Sequence, residues 1–81
     1  ISIYLEMRIV MQELKIREED EFIKLGQAIK AAGLVESGVE AKLVIQDGQV
    51  LVNGHVETQR GKKLTGGEKV SYNGQEILII R

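Results

Sequence analysis

Residues 37–54 read SGVEAKLVIQDGQVLVNG. Ser37 and Glu40 have the spacing of a capping box: the hydroxyl accepts from the Glu40 amide, and the carboxylate returns to the Ser37 amide. Ala41, Val44 and Ile45 then recur at helical spacing as an inner face, and Gly48 suits the left-handed conformation that ends a helix. Beyond Gly48 the period shortens to two. Val50 and Val52 share one side of a strand, and Asn53-Gly54 fits a type I′ turn, whose two central residues both need positive φ. A capped helix giving way to a hairpin within so short a span is the mark of an α+β domain.

Upstream, Phe22, Leu25, Ile29 and Ala32 recur at helical spacing, with Lys24, Gln27 and Lys30 largely off that stripe. Asp20 is the expected N-cap, and Glu18, Glu19 and Glu21 around it suit the positive end of a helix dipole. Gly33 is placed to stop the helix. Only a few residues separate the two helices, so they are expected to pack as a pair. Farther upstream, Ile3, Leu5, Met7, Ile9 and Met11, then Leu14 and Ile16, alternate as in a strand. Downstream, Val56 continues on the return strand and Thr65-Gly66-Gly67 makes a turn. Val70 and Tyr72 mark another strand, Asn73-Gly74 a second hairpin, and ILII at 77–80 a closing strand buried on both faces. The order is strand, helix pair, then a small, mainly antiparallel sheet.

The 81 residues suffice for one domain with one core. Cysteine is absent, which excludes disulfides and thiolate metal sites. Hydrophobic residues make up 43% of the chain but only two Tyr and one Phe are aromatic, so Ile, Leu and Val must fill the core. Each such side chain contributes about 1.5–3 kcal/mol when fully buried. No apolar run approaches the roughly 20 residues that span a bilayer. The start, ISIYLEMRIVM, lacks the features of a signal peptide, so a cytoplasmic protein with no membrane association is expected. Met7 and Met11 could each open a native chain, so part of the first ten residues is expected to be foreign to it or the remnant of a longer protein. The expected division is an N-terminal strand with an acidic lead-in over 1–21 and a single domain over 22–81.

Enzymatic chemistry finds little support. His55 is the only histidine, directly after a turn and without patterned carboxylates, and reads as a solvated turn residue rather than a metal ligand. Ser37 is occupied as a cap, and no phosphate-binding glycine loop is present. A non-enzymatic chain without cofactor or metal is expected. Its formal net charge is −1, yet the charge is uneven: residues 1–21 hold three cations against six acids, whereas 22–63 hold six cations against four acids. Lys24, Gln27 and Lys30 lie on a polar helix face, Lys42 on the second helix, and Arg60, Lys62 and Lys63 after the hairpin. Cations on short rigid elements can meet successive phosphates, with affinity arising partly from counterion release. Aromatics do not interleave with these charges in sequence, which argues against base stacking.

The ordered phrases LGQAIK, SGVEAK, VLVNG and RGKKL within residues 22–72 resemble the S4 RNA-binding domain. The likeness is to the small stand-alone bacterial proteins of the YaaA/YbcJ type. The resemblance implies the αL motif, two helices packed on a small sheet, with RNA crossing the helix pair and the adjacent loop. It implies RNA contacts from Lys24, Gln27, Lys30, Ser37, Lys42, Asn53, Arg60, Lys62 and Lys63. The wider family's Ser-Arg at the second helix corresponds here to Ser37-Gly38, so that Arg is missing and the remaining cations carry the contact.

The expected partner is structured RNA, by likeness ribosomal or ribosome-associated, read through shape and backbone rather than sequence. The rival reading is a protein-interaction module that kept the fold and lost much of its RNA surface. The slight net acidity and the absent Arg motivate it.

Overall fold

The computed structural model describes residues 10–81. In chain order it contains β1 (Val10–Lys15), β2 (Ile23–Lys24), α1 (Leu25–Ala31) and α2 (Gly38–Gln46). There follow β3 (Val50–Val52), β4 (His55–Val56), β5 (Lys63–Leu64), β6 (Lys69–Tyr72) and β7 (Gln75–Ile80). Five strands form one sheet in the order β1-β7-β6-β3-β4, while β2 and β5 form a separate two-stranded ribbon. All pairs are antiparallel except β1 with β7, whose register runs from Val10 opposite Gln75 to Lys15 opposite Ile80. The Ile16 amide extends that edge by donating to the Ile80 carbonyl at 2.7 Å. The strand expected over 3–16 is therefore present from Val10 onward; its residues 3–9 lie outside the described residues.

Turn chemistry fixes the hairpins as expected. Asn53 and Gly54 have φ of 52° and 81°, and Asn73 and Gly74 have 52° and 78°, the positive pairs that match the twist of the flanking strands. Asn53 adds a tie of its own: its side-chain oxygen accepts from the Lys69 amide at 3.0 Å, and its amide donates to the Lys69 carbonyl at 2.8 Å. Gly33 and Gly48, both at φ 79°, terminate the two helices.

The core joins the helix pair to the sheet. Leu25, Ala28 and Ile29 of α1 and Ala41, Val44 and Ile45 of α2 are buried together with Val50, Leu64, Val70, Ile77 and Ile79. It is aliphatic throughout, as the scarcity of aromatics requires, and no polar side chain is buried among the described residues. The closing strand departs from expectation. Ile77 and Ile79 are fully buried whereas Leu78 and Ile80 are half-buried, so the strand has one core face rather than two. Side chains alternate across a strand, and only one side of this sheet meets the helices.

Both helix starts correct the sequence reading in part. Asp20 does not cap α1, which begins at Leu25 with no acidic residue in its first turn. Asp20 instead pairs with Arg17, whose Nε donates to its carboxylate at 3.0 Å. The intervening Ile23–Lys24 is held extended by pairing with Lys63–Leu64, which displaces the helix start along the chain. At α2, Ser37 Oγ accepts from the Glu40 amide at 3.1 Å as the capping box requires. The Glu40 carboxylate accepts from the Glu36 amide at 2.8 Å, one residue before the expected partner. The cap holds, with its return bond shifted.

No helix is long and apolar enough to cross a membrane among the described residues.

Candidate nucleic-acid interface

The segment between β4 and β5 closes over the start of α1. The Leu25 amide donates to the Lys62 carbonyl at 2.8 Å, and the Gly26 amide to the Arg60 carbonyl at 3.0 Å. A helix leaves its first amides without internal partners. Lys24, in the N-cap position, has an ammonium with no acceptor to offer them. The distant loop therefore supplies the acceptors, and in doing so it brings Arg60 beside the helix. The packing at Gly26 is close: a Cβ there would sit in ordinary van der Waals contact with the Arg60 carbonyl and Cβ, both at 3.5 Å.

A cleft of about 370 Å³ opens where α1, α2 and this loop meet. Lys24, Gly26, Gln27 and Lys30 line one wall, Gly38 and Ala41 of α2 another, and Arg60 and Gly61 the third. Three of the lining side chains are cations and none is an acid. Among the described residues the one ion pair is Arg17 with Asp20, so Lys24, Lys30 and Arg60 have no acidic partner within salt-bridge reach. Unneutralised like charges around a concave, glycine-lined surface focus a positive potential into it. Glycines at 26, 38 and 61 leave the backbone bare there, so an anion can come close. Among the described residues no group of three or more His, Cys, Asp or Glu is arranged to hold a metal ion.

The structure brings some of the sequence candidates together and separates others. Lys24, Gln27, Lys30 and Arg60 converge on the cleft. Ser37 adjoins it as the cap of α2. Lys42 is exposed one helical turn beyond Gly38, on the same side of α2, and so prolongs that wall. Lys63 stands opposite Lys24 across the β2–β5 ribbon, with its Nζ 4.9 Å from the centroid of the Phe22 ring, a cation–π contact. Lys62 faces away, into a separate depression beside Asn53, His55, Glu57 and Glu68. The Asn53 side chain is engaged in the hairpin, and His55 is exposed, as a turn histidine should be.

Sequence reasoning missed Gly26, Gly61 and Phe22. The one signal at Gly26 was a glycine set inside a helical pattern, where it is a poorer helix former than Ala. Phe22 carried no such signal, because its partner Lys63 is forty-one positions away.

A protein-family model described as "S4 domain" matches residues 14–80. The Escherichia coli K12 protein named "Putative RNA-binding protein YbcJ" is 38% identical over 58 residues, covering 72% of this chain and 83% of that one. The Bacillus subtilis protein named "Probable ribosome maturation protein RlbA" is 39% identical over 56 residues, covering 69% of this chain and 79% of that one. The solution structure of Escherichia coli YbcJ, described as having an αL motif involved in RNA-binding, superposes with a TM-score of 0.64 at 31% identity, over 91% of this chain and 90% of that one. The helix pair on its small sheet is the arrangement shared with that structure, and with the model match across 67 consecutive positions the chain belongs to the S4 domain family.

Proposed function

We propose that this protein is an RNA-binding module of the cytoplasm that grips structured RNA, ribosomal or ribosome-associated, by its backbone phosphates. The observation that carries the reading is the convergence of Lys24, Lys30 and Arg60 on one glycine-lined cleft with no acid on its walls. Lys42 and Lys63 extend the surface on either side. Lys62 and Asn53 belong to the hairpin side and stand outside it. The binding unit is residues 22–81, with β1 added at the sheet edge. The names of the relatives agree in kind: one refers to RNA binding, the other to ribosome maturation.

Three cations meeting three phosphates predict that log K falls with log salt at a slope of about −2.7 on duplex RNA-like geometry. A small contact of this kind reads shape, since no side chain in the cleft is an aromatic suited to stacking. Fluorescence anisotropy of the purified protein with a labelled ribosomal RNA hairpin across a salt series measures that slope. Absence of binding even at low salt rules the reading out.

A second reading is a protein contact, favoured by Val39 and Leu43, which are 70% and 59% exposed one turn apart on α2. Affinity capture with and without nuclease separates the two: partners lost on nuclease treatment are held through RNA.

A further inference from the structure

Beside the cationic cleft runs a second groove, of about 390 Å³. Leu14 and Ile16 form one side of it, Phe22 and Ile23 another, and Gln27 and Ala31 of α1 the third. Unlike the cleft, it presents an aromatic ring and four large aliphatic or small apolar side chains drawn from three segments, with Lys15, Arg17 and Asp20 at its edge. Gln27 lines both. On α1, Gln27 therefore stands as a ridge one side chain thick, with cations and bare glycine backbone on one side and aliphatic and aromatic surface on the other.

We propose that this groove receives a single unpaired nucleobase of the RNA whose phosphates occupy the cleft. The inference rests on the RNA-binding reading above and deepens it: the preferred RNA is a helix interrupted by a bulged or looped-out nucleotide. Four features point to this occupant. The groove adjoins the phosphate cleft, sharing Gln27 with it, so a base and its own phosphate can sit on the two sides of one ridge. Phe22 offers the only phenylalanine ring of the chain, half-buried at the groove, and an aromatic face accepts any base by stacking. The Gln27 side-chain oxygen accepts from the Lys24 amide at 3.4 Å, which leaves the two N–H donors of its amide group for the acceptors on the edge of a base. The rim carries net positive charge: Arg17 and Asp20 neutralise each other as an ion pair, which leaves Lys15 lining the groove, and Lys63 stands over the Phe22 ring beside it. A phosphate flanking the base would thus meet positive charge on either side. The sequence pattern hid part of this, because Lys63 is separated from Phe22 by the whole helix pair and hairpin.

The test uses three labelled RNA hairpins that differ at one stem position: fully paired, carrying one unpaired nucleotide, and carrying an abasic site in place of that nucleotide. Stacking of one base on an aromatic predicts about tenfold tighter binding of the bulged hairpin than of the paired one, with the abasic hairpin falling back toward the paired. Phe22→Leu, which keeps an apolar side chain at the groove, should collapse that ratio toward one by weakening the bulged RNA. Lys24→Ala with Arg60→Ala should weaken both hairpins by a similar factor and preserve the ratio. Equal binding of bulged and paired RNA, or a ratio that survives Phe22→Leu, overturns the base site while leaving phosphate binding intact. Equal binding is also what a groove built for a protein segment would give. Failure to bind any hairpin overturns the RNA-binding reading itself, and this inference with it. The abasic comparison alters no protein residue, so it decides the matter even if a variant folds poorly.

Discussion

Replacing Gly38 with Arg would place a fourth cation on the cleft at the position where the wider S4 family carries one. The site is open: a Cβ at Gly38 meets nothing within 4 Å, and Gly38 is not among the residues with positive φ. Two opposing effects on stability nearly cancel. Arg exceeds Gly in helix propensity by up to about 1 kcal/mol in a helix interior and by less at the first position. A cation at the positive end of the helix dipole costs about 0.3–1 kcal/mol. The urea midpoint should therefore move little, and any change in RNA affinity belongs to the surface. One additional phosphate contact steepens the salt slope by about 0.9, so raising salt from about 50 to 200 mM should weaken the variant roughly 3.5-fold more than the parent. Anisotropy titrations of both proteins against one labelled hairpin across that range give the two slopes. A variant whose slope equals or falls below the parent's would refute the placement of Gly38 on the RNA path.

Ser37→Ala removes the acceptor for the Glu40 amide and should cost about 1 kcal/mol, seen as a lower urea midpoint with an unchanged m-value. Glu68 makes a pH-dependent contribution. Burial pushes its carboxyl up, but hydrogen bonds from the Thr65 and Gly66 amides and the Thr65 hydroxyl outweigh burial and hold it below the ordinary value. A folded value below the unfolded one means stability that is present above the unfolded value and lost as pH falls through the folded one. Glu68→Gln should accordingly be less stable than the parent near neutrality, with the gap closing as melts are run below about pH 4. A gap that stays constant with pH would contradict this role.

Much of the fold was written in local chemistry. The Ser37 cap, the stops at Gly33 and Gly48 and the two Asn-Gly turns each depend on residues within a few positions of one another, and each is where the sequence places it. What was not legible depends on partners far along the chain. The start of α1 was misread because Asp20 has the chemistry of a cap, whereas Ile23 and Lys24 are held extended by Leu64 and Lys63. The acceptors for the first helical amides come from Arg60 and Lys62, which no local pattern announces. The clamp formed by Arg81, which donates to the carbonyls of Asp20, Glu21 and Thr65 at 2.7–3.2 Å, is equally non-local.

The candidate site shows the same limit more sharply. Arg60, Lys62 and Lys63 are a cluster in sequence, but the chain turns at Arg60-Gly61, where the Lys62 amide donates to the Gln59 carbonyl at 3.2 Å. Only then does it run extended, with Lys62 and Lys63 sent to opposite sides. Arg60 turns into the cleft, Lys62 to the hairpin and Lys63 to Phe22. The cluster that survives in space is Lys24, Lys30 and Arg60, drawn from segments whose proximity follows from the loop that caps α1.

The central claim is that location in the cleft, and not charge in general, decides RNA binding. Two double variants that remove equal charge test it: Lys24→Ala with Arg60→Ala, and Lys62→Ala with Lys69→Ala. Salt-series anisotropy against the same labelled hairpin should show the first losing about 1.8 from the magnitude of the slope, two contacts' worth, and the second retaining nearly all of it. Equal losses from the two variants would contradict the account.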